Sequence, residues 1–161
     1  IGFKISYKQN FIEYSPLLLK FLKIISKKIN SNSGGILIID YGTWNTKMEN
    51  TLKSIHNHKH NDPLKKFSKA DITYNINFQV MEKILKKLNL KINGKSSQKE
   101  FLENLGILQR AEIVSKNLTF SKKADIYYRI QKLIDKNSMG EIFKVILATK
   151  KNINFNIGFL N

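Results

Sequence analysis

An unbroken aliphatic run lies near the end of the first quarter of the chain. Residues 36–39 are all Ile or Leu, follow a glycine pair, and lead into Asp40, Tyr41 and Gly42. A run of this kind predicts a strand over residues 36–41 that is buried on both faces, like a central parallel strand of an α/β sheet. Ligands bind at the carboxyl edge of such sheets, so we expect a site to begin at Asp40.

A helix is predicted immediately before this strand. Ser15 offers a hydroxyl N-cap, and Pro16 suits the first helical turn. Apolar residues then recur at helical spacing as far as Ile29, which predicts an amphipathic helix over residues 16–29. A helix that leads into a parallel strand is typical of a doubly wound sheet. Residues 1–7 alternate weakly and predict a short strand.

The segment after the central strand is long and polar. It extends from Thr43 to Lys69, with a short helix predicted near residues 47–55. Loops of more than ~15 residues are typical of lids and binding segments, and this one leaves from the ligand edge. Asp71 and Thr73 are then predicted to open the next helix.

Three more helices are predicted after that one. Ser97 and Glu100 have the spacing of a capping box and begin a helix that ends at Gly106. Hydrophobic periodicity predicts the other two over residues 107–118 and 122–134.

The last part of the chain is predicted to form a hairpin. An apolar run, residues 142–148, is joined by a polar link to an alternating stretch, residues 153–159. This pattern predicts a C-terminal antiparallel hairpin. The sequence shows no internal repeat and no sign of a second domain.

Composition restricts the chemistry more than it identifies it. A chain of 161 residues with 42% hydrophobic content is long enough for one domain with a substantial core. It contains no cysteine, so no disulfide, thiolate metal site or cysteine nucleophile is expected. No apolar run approaches the ~20 residues that cross a bilayer, and nothing resembles a signal peptide, so we expect a soluble, intracellular protein without membrane contact.

The net charge of +16 attracts attention because such an excess of cations binds polyanions. Of the 28 basic residues, however, only Arg110 and Arg129 are arginines, and the lysines are scattered in pairs. Surfaces that read bases or clamp phosphates favour arginine. The pattern is typical of an AT-biased coding sequence, and it disfavours nucleic acid as a partner.

The segment HNHKHND places His56, His58 and His60 at alternate positions, with Asp62 close by. An extended segment would present these side chains on one face, as a zinc or iron site requires. The chain has no further histidine, and the segment lies in a polar loop, so we expect no metal. A single imidazole acting as a base or hydrogen-bond donor is favoured instead.

Other polar residues have both a functional and a structural explanation. Asp40 could hold a ligand hydroxyl or amine, or it could cap the following loop. Asp71 and Thr73 are better explained as an N-cap. Gln98 lies in the capping-box turn, where its side chain could point to solvent. Glu13 is equally well explained by the favourable field at a helix N-terminus.

Eight short motifs occur in a fixed order along the chain: IEYSP, GGILIIDYG, TLKSIHNH, DPL, ADITYNINF, SQKEFLENLGILQR, MGEIFKV and a final GF. Each motif is weak alone, but their order and spacing resemble the carboxyl-terminal part of the MidA-type methyltransferases. These S-adenosylmethionine-dependent enzymes include the mitochondrial assembly factor that methylates an arginine of a respiratory complex I subunit. The resemblance covers essentially the whole chain.

The resemblance implies an α/β fold: the carboxyl-terminal part of a Rossmann-like methyltransferase sheet, with the strand at 36–41 in the centre and the hairpin at the edge. Asp40 and His58 match the family's strand-end aspartate and the one histidine of its following loop. They are therefore the catalytic candidates, for contact with a guanidinium or its proton. The other matched positions are candidates for the substrate side or lid: Tyr41, Gly42, Asp71, Thr73, Asn77 and Gln98.

One part of the family pattern has no match. The family's glycine-rich cofactor loop lies upstream of the IEYSP motif, whereas this chain starts at Ile1, which suggests a longer reading frame or a trimmed chain. We therefore expect a single partial domain over residues 1–161, with the S-adenosyl-L-methionine pocket largely outside it. Its partners would be a protein substrate and a separate N-terminal half.

Three interpretations stay open. The first is the carboxyl-terminal portion of a protein arginine methyltransferase that acts on a respiratory complex I subunit or a similar protein. The second is a truncated, inactive remnant, and the third is a lysine-rich module that binds nucleic acid or acidic protein. Composition favours a bacterial cytoplasm as the location, with a mitochondrial matrix as the alternative.

Overall fold

The computed structural model describes residues 4–66 and 68–159. The chain has a mixed α/β arrangement in which five strands follow the first helix and four consecutive helices precede the last strand. In order they are α1 Pro16–Asn32, β1 Gly35–Thr43, β2 Lys53–His56, β3 Lys59–Asn61, β4 Asp71–Thr73, β5 Ile76–Asn77, α2 Phe78–Lys87, β6 Leu90–Ser97, α3 Gln98–Asn104, α4 Ile107–Ser115, α5 Phe120–Ile134, α6 Met139–Ile142 and β7 Phe143–Lys150.

The strands form two sheets. The larger has the order β5-β1-β7-β6, and the smaller, β3-β2-β4, is antiparallel throughout. β1 runs antiparallel to β7 along Gly35–Tyr41 and parallel to β5 at Gly42 and Thr43. The predicted α/β fold and the predicted strand at residues 36–41 are both confirmed, with parallel pairing confined to the carboxyl end of β1.

The sequence signal at the start of α1 is confirmed in atomic detail. The Ser15 hydroxyl accepts a hydrogen bond from the Leu18 amide at 3.1 Å, and Pro16 occupies the first turn. α1 then continues three residues beyond the predicted end, to Asn32. Leu22 and Ile29 of this helix are buried against β7 and α2, because they face the sheet at helical spacing.

The core lies on both faces of β7. Ile146 and Ala148 belong to the cluster under α1 and α2, whereas Val145 and Leu147 pack on the other face against Phe101 and Phe159. β1 behaves differently, because its exposure alternates along the strand. The prediction that it is buried on both faces is therefore wrong for the described residues.

The predicted C-terminal hairpin is also wrong. β7 lies between β1 and β6, and residues 151–159 contain no strand. Val145–Thr149 are five consecutive buried residues, a pattern that requires a neighbour on each side and cover on each face. β6 supplies one neighbour, yet its sequence, LKINGKSS, has no apolar run that predicts a strand.

The segment around residues 43–73 folds into strands rather than helices. The short helix predicted near residues 47–55 is absent there, and β2 begins at Lys53. Asp71 and Thr73 do not open a helix; they form β4. α2 begins at Phe78 instead, with the Asn77 side chain as its N-cap. A hairpin of β2 and β3 can form because its two turn residues adopt positive φ angles.

The later helices agree with their sequence signals. The capping box of Ser97 and Glu100 is present, with both hydrogen bonds made. α3 ends at Asn104, and Gly106 adopts a left-handed conformation before α4 begins. The strand predicted over residues 1–7 is absent from residues 4–7, and residues 1–3 lie outside the described part of the chain.

Within residues 4–66 and 68–159, no helix has both the length and the hydropathy needed to cross a membrane.

One ion-pair cluster joins α2 to the edge strand β6, and it generates a prediction about acid stability. Glu82 contacts Lys86 at 2.6 Å and Lys95 at 3.0 Å. Partial burial raises the pKa of the Glu82 carboxyl, but hydrogen bonds and charge from the two lysines outweigh it, so the pKa lies below its ordinary value of 4.5.

A depressed pKa in the folded state means that the ionised form stabilises the fold above the unfolded pKa. That contribution disappears as the pH falls through the lower folded pKa. We expect Glu82→Gln to lower the free energy of unfolding at pH 7, as measured by urea unfolding. Between pH 5 and pH 3 this free energy should fall less in the variant than in the unchanged protein. Asp125→Asn, at an exposed pair with Arg129 on α5, is the control. An unchanged acid profile in Glu82→Gln would contradict the assignment.

Candidate active site

The carboxyl end of β1 meets the carboxyl end of β5, since the two strands run parallel there. Gly42 permits this approach: a Cβ atom at this position would lie 2.4 Å from the Ile76 carbonyl oxygen and 2.5 Å from the Phe78 ring. Any side chain would therefore force β1 and β5 apart. The strand-end glycine found in the sequence has a packing role at the ligand edge of the sheet.

A hydrogen-bonded network closes one side of this edge. The Glu13 carboxylate accepts from the Thr51 amide at 2.8 Å and from the Thr51 hydroxyl at 2.6 Å. The same hydroxyl oxygen accepts from the Asn75 amide at 2.8 Å. Three segments distant in sequence are thereby joined: the one before α1, the one before β2, and the one before β5.

A polar recess, which we call the Glu13 recess, lies beside this network, with a volume of about 90 Å³. Asn77 helps to shape it, because its amide donates to the Asn45 carbonyl at 3.0 Å while its side-chain oxygen caps α2. The lining is rich in carboxylate, amide and hydroxyl groups: Glu13, Thr43, Asn45, Glu49, Thr51, Asn75 and Asn77, together with Lys47 and Met48. Such a lining suits a ligand group with several N–H donors.

Asp40 lies on β1 about 10 Å before Thr43, given the rise of a strand. Its side chain is partly buried, and its Oδ1 accepts from the Tyr41 amide at 2.7 Å. Lys144 is its cross-strand neighbour on β7. The Lys144 ammonium instead donates to the Glu141 carbonyl at 2.5 Å and contacts the Glu141 carboxylate at 3.3 Å.

A second, larger opening of about 400 Å³ lies next to Lys144. Trp44 follows β1 and contributes to its wall, with the Lys95 ammonium 5.5 Å from the ring centroid. The other lining residues are Gln79, Ser96, Ser97, Glu100 and Glu141. Sequence reasoning found neither opening, because their residues come from segments far apart in the chain.

Tyr41 points away from Asp40, since successive residues of a strand alternate between faces. It is half exposed and stacks on Phe143, with the ring centroids 4.1 Å apart. Tyr41 and Asp40 therefore belong to different surfaces of the sheet.

His58 lies at the tip of the β2–β3 hairpin. It is exposed and has a φ of 60°, next to Asn57 with a φ of 50°. His56 is the last residue of β2, and its Nδ1 lies 2.7 Å from the Lys69 carbonyl oxygen. In the described part of the chain, no three His, Asp or Glu side chains come together as a metal site would require.

The remaining sequence candidates fall into separate places. Asp71 and Thr73 are exposed on β4 and pair with β2 in the small sheet. Gln98 does not point to solvent: it is buried, and its amide donates to the Leu133 carbonyl at 2.9 Å. The structure thus brings Gly42 and Asn77 together at the sheet edge, whereas Gln98 joins α3 to α5.

Glu13 is the main residue that sequence reasoning undervalued. Its position before the α1 N-cap suggested an electrostatic role at the helix terminus, but its carboxylate binds Thr51 instead. The only sequence signal for it was its place within the motif IEYSP.

Comparison with known families gives a match over the first part of the chain. Residues 1–96 match the family described as "Putative S-adenosyl-L-methionine-dependent methyltransferase". This agrees with the MidA-type resemblance found in the motifs, which is confirmed.

Named relatives are similar over most of this chain but over a minor part of their own length. The protein arginine methyltransferase NDUFAF7, mitochondrial, of Xenopus tropicalis is 29% identical over 139 residues, which are 84% of this chain and 31% of that protein. The Caenorhabditis elegans homolog is 31% identical over 98 residues, which are 61% of this chain and 23% of that protein. The chain spans about a third of the length of the first of these relatives.

Two crystal structures from Burkholderia thailandensis have a similar fold. One superposes with a TM-score of 0.76 at 24% identity and covers 92% of this chain and 41% of that protein. The other, bound to S-adenosyl-homocysteine, gives 0.72 at 25% identity and covers 89% of this chain and 38% of that protein. The family match extends over more than half of the 161 residues, and the chain therefore belongs to this family of S-adenosyl-L-methionine-dependent methyltransferases.

Proposed function

We propose that this chain is the substrate-side portion of an S-adenosyl-L-methionine-dependent protein arginine methyltransferase. The observation that carries the proposal is the Glu13 recess, which lies at the carboxyl edge of β1 and β5 and presents carboxylate and amide groups. Family membership supports the reaction type, and the names of the relatives support arginine as the acceptor.

The recess suits a guanidinium for electrostatic and geometric reasons. A guanidinium is cationic and carries five N–H donors and no acceptor. Glu13 and Glu49 contribute two negative charges against the one positive charge of Lys47, so the lining is net negative in a chain whose net charge is +16. The Glu13–Thr51–Asn75 hydrogen bonds hold the carboxylate in place before a ligand arrives, which lowers the entropic cost of binding.

The cofactor would supply an activated methyl group, so the chain's own residues have two tasks. They position a guanidinium nitrogen for attack, and they accept the proton that this nitrogen loses once the new C–N bond forms and the C–S bond breaks. Asp40 and His58 are the candidates for the proton. Asp40 lies on β1 about 10 Å before Thr43, so it would serve a substrate whose reacting nitrogen lies along β1 outside the Glu13 recess. His58 would act from a position in which the hairpin lies over the edge.

The chain provides one wall of a cofactor site rather than a whole one. In this fold class, cofactor ligands come from several parallel strands and their following loops. Within residues 4–66 and 68–159, β1 has a parallel neighbour only at Gly42 and Thr43. The residues present therefore fit the substrate side of the site. We propose that residues 1–161 form a single partial domain, and that the cofactor half comes either from further residues of the same polypeptide or from a separate polypeptide.

The target and compartment are proposed from the relatives. Several are named mitochondrial protein arginine methyltransferases, which favours a mitochondrial location over the bacterial cytoplasm. A respiratory complex I subunit, or a similar protein, is the proposed substrate.

An inactive remnant is the second candidate, and the observation that favours it is the coverage of about a third of the relatives. Binding to nucleic acid stays the third interpretation, and a steep salt dependence of DNA or RNA binding would support it.

The first prediction concerns the cofactor. We expect the isolated chain to bind S-adenosyl-homocysteine with a Kd weaker than ~1 mM by calorimetry, because one wall supplies few of the required contacts. Micromolar binding by the isolated chain would contradict the partial-domain proposal.

The second prediction concerns the recess and needs no cofactor. Methylguanidinium should shift the amide resonances of Thr51 and Asn75 in NMR titrations, with millimolar affinity, since both border the Glu13 carboxylate. Glu49→Gln should weaken this binding by about threefold to tenfold, because it removes one negative charge from the lining. Glu112→Gln, an exposed acid on α4, is the control. Equal binding by both variants would count against the recess.

The third prediction concerns the proton. A chimera in which this chain replaces its matching segment in the S-adenosyl-homocysteine-bound Burkholderia thailandensis protein restores a full-length architecture. With tritiated S-adenosylmethionine and arginine-containing peptides, Asp40→Asn and His58→Ala should lower kcat by about 100-fold if each handles the proton. His60→Ala, two residues from His58 on the same hairpin, should leave kcat unchanged. An unaffected kcat in Asp40→Asn or His58→Ala would remove that residue from the mechanism.

A further inference from the structure

A broad apolar opening lies directly beside the Glu13 recess. Its volume is about 540 Å³, which is in the range of ligand-binding pockets, whereas the recess has about 90 Å³. Glu13 lines both cavities, so they meet at one carboxylate. We call the larger cavity the Tyr14 opening. The side chains that make it apolar are Phe11, Ile12, Tyr14, Leu17, Leu52 and Tyr74.

Most of these apolar side chains face solvent rather than the core. Phe11, Ile12, Tyr14, Leu17 and Leu52 are each between 43% and 78% exposed. Single exposed apolar residues are ordinary on a protein surface, but a contiguous group of them marks an interaction site or a ligand-binding groove. The Tyr14 opening therefore has the character of a binding surface.

The walls of the opening come from the same backbone segments as the polar network of the recess. Each network residue has a sequence neighbour in the opening: Glu13 is next to Tyr14, Thr51 is next to Leu52, and Asn75 is next to Tyr74. The hydrogen bonds that position the recess thus also position the walls of the opening. The two cavities form one continuous, preformed surface.

The segment before α1 is anchored at a second point as well. The Gln9 side chain accepts from the Met48 amide at 2.7 Å and donates to the Thr46 carbonyl at 2.8 Å. With Glu13 bound to Thr51, residues 9–13 are tied at both ends although they form neither helix nor strand. Phe11 and Ile12 are consequently held at the opening before a ligand arrives, which lowers the entropic cost of binding.

The charge of the opening limits what can occupy it. Among the residues that the structure describes, no Lys or Arg lines the opening, and Glu13 is its one charged side chain. An anionic group would lie against this carboxylate without a cation to balance it. A guanidinium alone would fill the recess and leave the larger cavity empty. An apolar group joined to a cation satisfies both cavities.

We propose that the Tyr14 opening is a specificity subsite, which binds an apolar or aromatic side chain of the protein substrate beside the arginine held in the Glu13 recess. An extended peptide advances ~3.3–3.6 Å per residue, so a side chain within about three residues of the arginine can reach across one carboxylate. Aromatic rings also suit the opening, because Tyr14 and Tyr74 offer ring faces and edges for packing. This inference rests on the proposed function, since it specifies the class of protein substrate for the same site.

Three kinds of ligand test the subsite in the isolated chain. Methylguanidinium probes the recess alone, and N-acetyl-phenylalanine amide probes the opening alone. Capped peptides probe both: a central arginine is flanked by glycines, and phenylalanine replaces one glycine at a time. At least one phenylalanine peptide should bind about 10-fold more tightly than the all-glycine peptide, because the ring leaves water on binding. Its ring should give intermolecular NOEs to the methyl groups of Ile12 and Leu52.

Matched variants give the result its specificity. Leu52→Ala should remove most of the phenylalanine gain and leave methylguanidinium binding unchanged, because the Thr51 hydroxyl and amide are retained. Leu108→Ala, on α4, is the control, since the two leucines are 48% and 41% exposed. A second pair, Leu17→Ala with Leu64→Ala as its control, repeats the test at two leucines that are 78% and 76% exposed. Variants at such exposed positions change stability little.

The outcomes separate the subsite from the proposed function. If methylguanidinium binds in the recess but the phenylalanine and glycine peptides bind equally, the subsite is overturned and the proposed function stands. If the phenylalanine ring contacts Ile12 and Leu52 while methylguanidinium does not bind, the apolar subsite is supported and the proposed function is contradicted.

Other occupants of the opening would also be revealed. NOEs from S-adenosyl-homocysteine to the methyl groups of Ile12 and Leu52 would assign the opening to the cofactor and overturn the subsite. A dimer that buries these methyl groups and that the phenylalanine peptide does not dissociate would assign it to a second copy of the chain, with the same consequence.

The chimera with the Burkholderia thailandensis protein tests the subsite during turnover. The preferred phenylalanine peptide should have a KM about 10-fold lower than that of the glycine peptide, with kcat little changed. A contact remote from the reacting nitrogen stabilises the bound substrate and the transition state equally, so it affects KM rather than kcat. An active chimera without this preference would overturn the subsite.

Discussion

The antiparallel pairing of β1 with β7 is the interaction on which the rest of the structure depends. Seven residue pairs, from Gly35 with Thr149 to Tyr41 with Phe143, fix the register of the two strands. A slip of one residue would exchange the faces of every side chain in β1. The register therefore decides that Asp40 lies beside Lys144 and that Tyr41 stacks on Phe143. It also places Gly42 where β5 and α2 can approach.

The carboxyl edge created by this pairing gathers polar groups from distant segments. Glu13 precedes α1, Thr51 precedes β2, and Asn75 precedes β5, yet their hydrogen bonds meet at one point. The bond between the Asn75 amide and the Thr51 hydroxyl is worth ~1 kcal/mol net, and each bond to the Glu13 carboxylate is worth ~1.5–3 kcal/mol, so the network both positions these groups and stabilises the junction of the three segments. A recess held in this way is suited to binding a donor-rich cation without rearrangement.

The unequal edges of the sheet explain features that otherwise look unfavourable. An aliphatic strand with one uncovered face and one free edge is an aggregation hazard in an isolated domain. The same features are expected for a strand in the middle of a larger sheet. α1 also has an uncovered apolar side, since Leu17, Phe21 and Ile24 are exposed among the described residues. The sequence pattern of β1 is that of a strand with a neighbour on each side, whereas among the described residues only its carboxyl end, at Gly42 and Thr43, has a second neighbour.

The sequence determined the elements whose signals are local. Ser15 with Pro16 specified the start of α1, Ser97 with Glu100 specified the start of α3, and the aliphatic run specified β1, because caps and unbroken apolar runs act within a few residues. The motif order also identified the family. The tertiary structure alone decided that β7 lies between β1 and β6, that Gln98 is buried, and that Glu13 reaches Thr51. These depend on contacts between segments tens of residues apart, and such contacts leave no periodic pattern in the sequence at either end.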